Sequence, residues 1–332
     1  MTNEFKALLV KEEQGAFTAK VETLSTADLP QSEVLVKVAY SSVNFKDTMS
    51  AIGNKVVTQK FPHVPGIDAV GEVVISSGSK FKAGDYVIVS GYDLGMNTWG
   101  GFGEYISVPA AWVIPLPREL TPLEAMSYGT AGLTAGLSIY ELIKAGIKPE
   151  NGKIAVSGAT GGVGSLSVAI LAKLGYDVLA ISGKEQSDFL TKKLGANSVI
   201  SRQEFVEKYD SKPISSTEFA GGIDAVGGKI LSGILKATKY NGAVTCCGLV
   251  ASPKVDTSIF PFILRHVKLI GIDSVEQSVE YKEKIWQLLA DEWKPTVLTE
   301  VIKEISLEEL PAALNEVREG KAVGRYVVKH KQ

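Results

Sequence analysis

The sequence predicts an α/β protein of two domains: a β-rich leading domain, then a doubly wound parallel sheet with helices on both faces. Three observations carry this. The chain has 332 residues, and domains usually run about 100–200. Over its first 120 or so residues, short β-like runs are cut by Gly and Pro. From Lys153 onward, strand-like and helix-like segments alternate, the pattern of a parallel sheet.

In the leading part, Phe5–Lys11, Glu33–Tyr40, Val70–Ser76, Tyr86–Ser90 and Glu104–Val108 carry β-branched or aromatic residues. Leu29-Pro30, Val64-Pro65-Gly66 and Lys82-Ala83-Gly84-Asp85 separate them as turns. Gly95, Gly100, Gly101 and Gly103 make Tyr92–Gly103 a loop. At Thr121-Pro122 the pattern changes, with Thr121 as helix cap and Pro122 at the first helical position. The predicted helix Pro122–Ala145 is interrupted by the small residues Gly129-Thr130-Ala131-Gly132.

Strands are then expected at Lys153–Ser157, Asp177–Ser182, Ser198–Ser201, Ile223–Val226, Ala243–Gly248 and Val267–Ile272. Helices are expected at Val163–Leu174, Glu185–Leu194, Lys229–Lys239 and Val279–Ala290. Near the end, Ser306-Leu307-Glu308-Glu309 reads as a capping box before a helix, and Arg325–Val328 as a strand able to return to the first domain. The expected division is 1–125, 126–298 and a returning 299–332.

Composition narrows the function classes. With 45% hydrophobic and 22% charged residues, a largely disordered chain is excluded. A net charge of −2 exerts no general pull on nucleic acid or anionic membrane. No run of about 18 apolar residues occurs, and Met1–Lys6 lacks a signal-peptide pattern. The expected location is the cytoplasm, with neither nucleic acid nor membrane as partner. Two Cys and three His exclude a disulfide scaffold and leave few zinc ligands. Cys246 and Cys247 are neighbours in a strand-like run and so point to opposite faces, which suits packed thiols better than a disulfide; a vicinal redox pair is the other reading.

The sharpest local motif is Ser157-Gly158-Ala159-Thr160-Gly161-Gly162-Val163-Gly164. It follows an apolar strand and opens an apolar helix, as a dinucleotide site requires. Glycines permit the tight turn and let backbone N–H groups approach a pyrophosphate at the helix N-terminus. A ligand-free glycine-rich connection is the plain alternative. The next strand ends Ile181-Ser182-Gly183-Lys184, where an NAD site would carry an acidic residue. A hydroxyl, a glycine and a cation suit a 2′-phosphate instead, with Arg202 as a second cation, so NADP is favoured. Glu185 works against that choice, and both cations could simply be solvated surface charges.

Together with the β-rich front and the C-terminal return, several stretches resemble the medium-chain dehydrogenase/reductase superfamily. They include Ser41–Asp47, Pro65-Gly66-Ile67-Asp68, Trp99–Phe102, Gly129–Ala135, the glycine turn, Cys247-Gly248-Leu249, Pro261–Arg265, Asp273-Ser274-Val275 and Gly324-Arg325. The set is most similar to the zinc-independent acrylyl-CoA reductase and quinone oxidoreductase branch. Zinc-dependent relatives carry a ligating Cys in the first motif and a His in the second. Here the first motif has no Cys, Ile67 occupies the His position, and no Cys precedes 246, so no metal is expected. His63 reads as a loop or partly buried histidine.

The resemblance implies a GroES-like catalytic domain plus a Rossmann domain. It also implies NADPH-dependent reduction of an activated C=C bond, with acryloyl-CoA as the strongest substrate expectation. A quinone or enone reductase and a non-catalytic NADPH sensor are the alternatives. Asn44 would donate to the developing enolate oxygen and Asp47 orient a neighbour or relay a proton; turn formation competes for both. Phe45 would pack beside the cofactor or in the core. Thr130 would hydrogen-bond the nicotinamide or cap a helix. Thr160, Gly161, Gly162 and Val163 would hold the pyrophosphate. Leu249, Ile263 and Ser274 are implied cleft residues, Arg325 a phosphate or pocket contact, and Val267–Ile272 the pairing edge of a homodimer.

Overall fold

The structure is a computed structural model that describes residues 3–331. In chain order it runs β1 (Glu4–Glu13), β2 (Ala16–Ser25), β3 (Val34–Ser42), α1 (Phe45–Ala51), β4 (Asp68–Ser76), β5 (Tyr86–Ser90), β6 (Tyr105–Val108) and β7 (Val113–Pro115). Next come α2 (Pro122–Lys144), β8 (Lys153–Ser157), α3 (Gly162–Lys173), β9 (Val178–Ser182), β10 (Ser198–Ser201), α4 (Arg202–Tyr209) and β11 (Phe219–Asp224). Then follow α5 (Gly228–Ala237), β12 (Thr238–Cys246), α6 (Phe260–Arg265), β13 (Lys268–Gly271), α7 (Val279–Ala290), β14 (Ile302–Ile305), α8 (Leu310–Arg318) and β15 (Arg325–Lys329).

Two compact units result. The first holds the residues up to Thr130, Val275–Ala290 and those from Leu298 onward; the second holds Ala131–Ser274 and Asp291–Val297. The sequence expectation drew its boundaries at 125 and 298, and so assigned α7 to the other domain. Side chains explain the difference. Tyr128 donates its hydroxyl proton to Leu289 O at 2.8 Å, and Lys282 is buried against Ser90.

In the first unit, β1 and β2 form an antiparallel hairpin closed by Gln14-Gly15. Both turn residues have positive φ, 50° and 82°, the twist that suits a two-residue hairpin. The sequence reading did not mark β2, which has no fully buried position; a strand wetted on both faces carries no strong period-2 signal. A seven-stranded sheet of order β14-β15-β3-β4-β5-β7 has β6 also paired to β3. The return of the C-terminal segment is antiparallel pairing of β15 with β3, Val327 opposite Ser42. Val34, Val36, Val38, Val73, Val87, Val89, Ile106 and Val108 fill one core of this unit.

The second unit is a six-stranded parallel sheet of order β10-β9-β8-β11-β12-β13. Strand order reverses direction between β8 and β11, and ligands of such sheets bind beyond the strand ends at that point. Phe205 and Tyr209 of α4 and Ile230, Leu231, Ile234 and Leu235 of α5 share a core with these strands. The expected helix Glu185–Leu194 shrinks to a π turn at Phe189–Lys193, while α4 was not anticipated. Its capping box, Ser201 with Glu204, is legible in retrospect. Cys246 and Cys247 are free thiols, and burial pushes the Cys247 thiol up to about 12, which leaves it unreactive at neutral pH. Among the described residues no helix is long and apolar enough to cross a membrane.

Candidate active site

The glycine turn has the geometry of a phosphate cradle. Gly158 takes φ 60°, and its carbonyl accepts from Gly161 N–H at 2.8 Å. A Cβ on Gly164 would stand 2.2 Å from Gly158 O and 2.6 Å from its carbonyl carbon. Backbone cannot yield there, so glycine is required if α3 is to start so close to β8. Gly161 is the N-cap and supplies no side-chain hydrogen bond, so the first N–H groups of α3 remain to be satisfied by something else. Thr160 is buried, whereas Gly161, Gly162 and Val163 are partly exposed around that N-terminus.

Beneath the cradle lies a pair that the sequence reading missed. Ser157 and Asp224, at the ends of β8 and β11, are fully buried and bonded at 2.7 Å. Ser157 Oγ accepts from Ala225 N–H, and Asp224 from Gly227 N–H at 2.7 Å. Burial raises the Asp224 carboxyl above its ordinary range, with these hydrogen bonds opposing the shift.

At the end of β9 the predicted group comes together. Ser182 Oγ accepts from Lys184 N–H at 3.0 Å and donates to Lys184 O. The Arg202 side chain lies over Gly183, where a Cβ would meet its Nε at 2.9 Å. Lys184 is held below its usual lysine value by burial and then by the Arg202 charge. Two cations are thus placed to repel one another, an arrangement that a bound dianion relieves.

Leu249 and Ile263, by contrast, are 62% and 63% exposed. Ser274 is buried and accepts from Thr134 Oγ1 at 2.9 Å, so its hydroxyl joins α2 to the segment after β13.

In the first unit, the predicted catalytic residues belong to one buried polar network centred on Asp68. Its carboxylate accepts from Ser42 Oγ at 2.6 Å, Asn44 Nδ2 at 2.7 Å, Ser90 Oγ at 2.7 Å, Thr130 N at 2.8 Å and Thr130 Oγ1 at 2.6 Å. Five donors converge on it, as suits a group that is acceptor-only when ionised. The break in α2 makes this possible. Gly129 has φ 50° and ψ −157°, and a Cβ there would meet Ser42 Oγ, Arg325 Nη2 and Asp68 Oδ2 at 2.2–2.7 Å.

Three of the predicted residues, Asn44, Asp47 and Arg325, belong to or adjoin this network. The Asn44 amide was expected to donate to substrate, but it donates to Asp68 and to Ser42 O, while its Oδ1 accepts from Arg325 at 3.2 Å. Both amide hydrogens are committed within the fold. Asp47 was expected to orient or relay, but it is fully buried and accepts from the backbone N–H groups of Asn44 at 2.7 Å and Ile67 at 2.9 Å. It caps α1 and ties it to the turn before β4. Arg325 was expected to be a phosphate or pocket contact; it is buried and donates to Ser42 Oγ at 2.7 Å, Asn44 Oδ1 and Val43 O, while its Nε has no hydrogen-bond partner among the described residues. Burial lowers it from the usual arginine value, with Asp68 and Asp47 opposing.

Phe45, at the first turn of α1, is 42% exposed and so presents its ring outward instead of packing in the core. Thr130 is partly exposed, with its hydroxyl also 2.9 Å from Ser90 Oγ. His63 is buried, and burial lowers it from the ordinary histidine value. Among the described residues no three His, Cys, Asp or Glu side chains come together in a way that could hold a metal ion.

Asp68 and Asp224 were within reach of the sequence. Each is a lone carboxylate inside an apolar run, Ile67-Asp68-Ala69-Val70 and Ile223-Asp224-Ala225-Val226, and a buried carboxylate must be hydrogen-bonded.

Residues 30–118 match the alcohol dehydrogenase GroES-like domain and 162–291 the zinc-binding dehydrogenase domain. AcuI of Escherichia coli K-12, described as a probable acrylyl-CoA reductase, is 41% identical across 98% of this chain and 99% of its own.

The chain belongs to the medium-chain dehydrogenase/reductase family.

It is an oxidoreductase of that family, built from a GroES-like and a Rossmann unit. YhfP of Bacillus subtilis, whose name assigns it to quinone oxidoreductases, is 43% identical over 99% of this chain and all of its own. The crystal structure of yhfP with NAD bound has a TM-score of 0.95 and 42% identity, covering 98% of this chain and 99% of its own. The Salmonella enterica yhdH oxidoreductase in complex with NADP has a TM-score of 0.94 and 39% identity, covering 98% and 100%.

Proposed function

We propose that this oxidoreductase uses NADPH to reduce the activated C=C bond of an enoyl thioester, converting acryloyl-CoA to propanoyl-CoA. The observation that carries the cofactor is the Lys184–Arg202 pair over Gly183, in the same unit as a glycine turn whose Gly164 admits no Cβ. The relative described as a probable acrylyl-CoA reductase supports the substrate.

When bound, NADPH supplies the hydride. The N-terminus of α3 would hold the pyrophosphate, and Ser182, Lys184 and Arg202 would hold the 2′-phosphate. The Asp224–Ser157 pair holds the cradle at its height above the sheet. Phe45 would offer an apolar face to the cofactor, and Thr130, fixed by Asp68, would meet the nicotinamide. That hydride would pass to the β-carbon of the enoyl thioester, leaving NADP+, and the α-carbon would take its proton from solvent. Asn44, Asp47 and Arg325 act as the frame of this site.

NADPH oxidation in the presence of acryloyl-CoA tests the assignment. Turnover well above that of a simple α,β-unsaturated ketone is expected, and its absence refutes the substrate. The quinone relative supports a second reading, in which kcat/KM for a 1,4-quinone exceeds that for acryloyl-CoA.

The protein acts as a homodimer in this reading. Among the described residues β13 pairs with β12 alone, leaving its other edge without a strand, and Leu269, Ile263 and Leu264 are 40%, 63% and 61% exposed in this unit. Open edges invite pairing with a second copy. Light scattering should give twice 35.4 kDa; a monomer mass refutes it.

A further inference from the structure

We propose that Lys282, outside every motif of the cofactor site, is a positioning residue that aims Ser90 and thereby holds Thr130 in its cofactor-facing geometry. The inference rests on the reading of Thr130 as a nicotinamide contact.

Lys282 lies on α7 and is fully buried. Its ammonium donates to Val275 O at 2.7 Å and to Ser90 O at 3.0 Å. It also stands 3.5 Å from the centroid of the Tyr92 ring, which stacks on Trp112 at 5.6 Å and 15°. The clamped segment is strained. Gly91 and Tyr92 take φ 78° and 51° in succession, and a left-handed non-glycine residue costs about 1–2 kcal/mol. Such a conformation persists where surroundings over-determine it. Here Gly91 N–H donates to Ile67 O, Tyr92 N–H to Val275 O, and the Tyr92 hydroxyl to Gln277 O at 2.9 Å.

The strained turn starts at Ser90, whose buried hydroxyl donates to Asp68 and sits 2.9 Å from Thr130 Oγ1. The path from the ammonium therefore runs through the Ser90 peptide to the Ser90 hydroxyl, then Asp68, then the N–H and hydroxyl of Thr130. A methionine of similar length would fill the same space without the cost of burying a charge. What the ammonium adds is direction: it fixes a carbonyl and a ring that an apolar side chain would only touch.

Lys282→Met and Ser90→Ala test this, alone and together. Cofactor affinity should stay within about 3-fold, because the phosphate contacts are elsewhere in the chain. The nicotinamide fluorescence lifetime of bound NADPH, read without acceptor, should shorten. With acryloyl-CoA, kcat should fall at least 10-fold, and the primary isotope effect from NADPH deuterated at the transferred position should rise. The double variant should be no worse than the poorer single one, since both cut one path. Wild-type lifetime and kcat in folded Lys282→Met, or additive losses, overturn the proposal. Should Lys282→Met fail to fold, Ser90→Ala with unchanged lifetime and kcat overturns it alone. A wild-type protein that binds no NADPH overturns the functional reading, and this inference with it.

Discussion

Lys184→Glu is the most informative perturbation of the cofactor reading. Lys184 is partly buried beside Arg202 and over the end of β9. Removing a hydrogen bond to a charged group costs about 1.5–3 kcal/mol. The new carboxylate also faces a phosphate carrying roughly −1.5 to −2 charges. At about 5 Å that repulsion is of order 1 kcal/mol in water and several at an effective dielectric of about 20. A half-exposed position lies between these limits, so NADPH binding should weaken by about 3 kcal/mol or more, roughly 100-fold in Kd. NADH lacks the 2′-phosphate, and its Kd should move by less than about 3-fold. The apo protein should not lose stability, because a carboxylate at 184 pairs with Arg202 where the lysine repelled it. Tryptophan-fluorescence titrations with both cofactors read the result. Equal weakening of NADPH and NADH, or an NADPH loss below about 5-fold, refutes the reasoning.

Gly164→Ala should weaken both dinucleotides alike, since its Cβ would collide with backbone at Gly158. Overpacking of this kind typically costs about 1–3 kcal/mol, and a wild-type melting temperature would contradict it. Burial and then Asp68 raise the Asp47 carboxyl to about 7. Between about pH 4 and 7 the folded protein therefore holds a proton that the unfolded chain has lost, and stability falls as pH rises. Asp47→Asn removes that slope, so its unfolding free energy relative to wild type should climb by up to about 1.4 kcal/mol per pH unit across the window; urea titrations giving a flat difference would refute it. His330 should behave oppositely. Burial lowers it to about 4, so it adds stability as pH rises from about 4 to 6.5, and His330→Asn should lose ground relative to wild type over that range.

Much of the Rossmann unit was legible from local rules. β8 and β10 fall where the sequence places them, and α3 begins one residue before the predicted start. A strand, a glycine turn and a helix in sequence leave few conformations. The clustering of Ser182, Gly183 and Lys184 with Arg202 was legible for the same reason, because the first three are neighbours and Arg202 follows the adjacent strand. Harder to read were β2, with its evenly wetted faces, and α4, whose apolar residues are few.

By itself, then, the sequence determined the alternation that makes a parallel sheet, the glycine turn and the placing of two cations after successive strands, because each follows from local order along the chain. Tertiary structure alone decided how the polar groups around Asp68 pair with one another. Asn44, Asp47 and Arg325 look chemically competent as residue types. Most of their donors and acceptors are engaged by Asp68, Ser42 and the backbone of Val43 and Ile67, and the Arg325 Nε is left without a partner among the described residues. Asp68 itself draws its donors from positions 42, 44, 90 and 130. A hydrogen bond is satisfied by proximity in space, and folding brings these distant positions together.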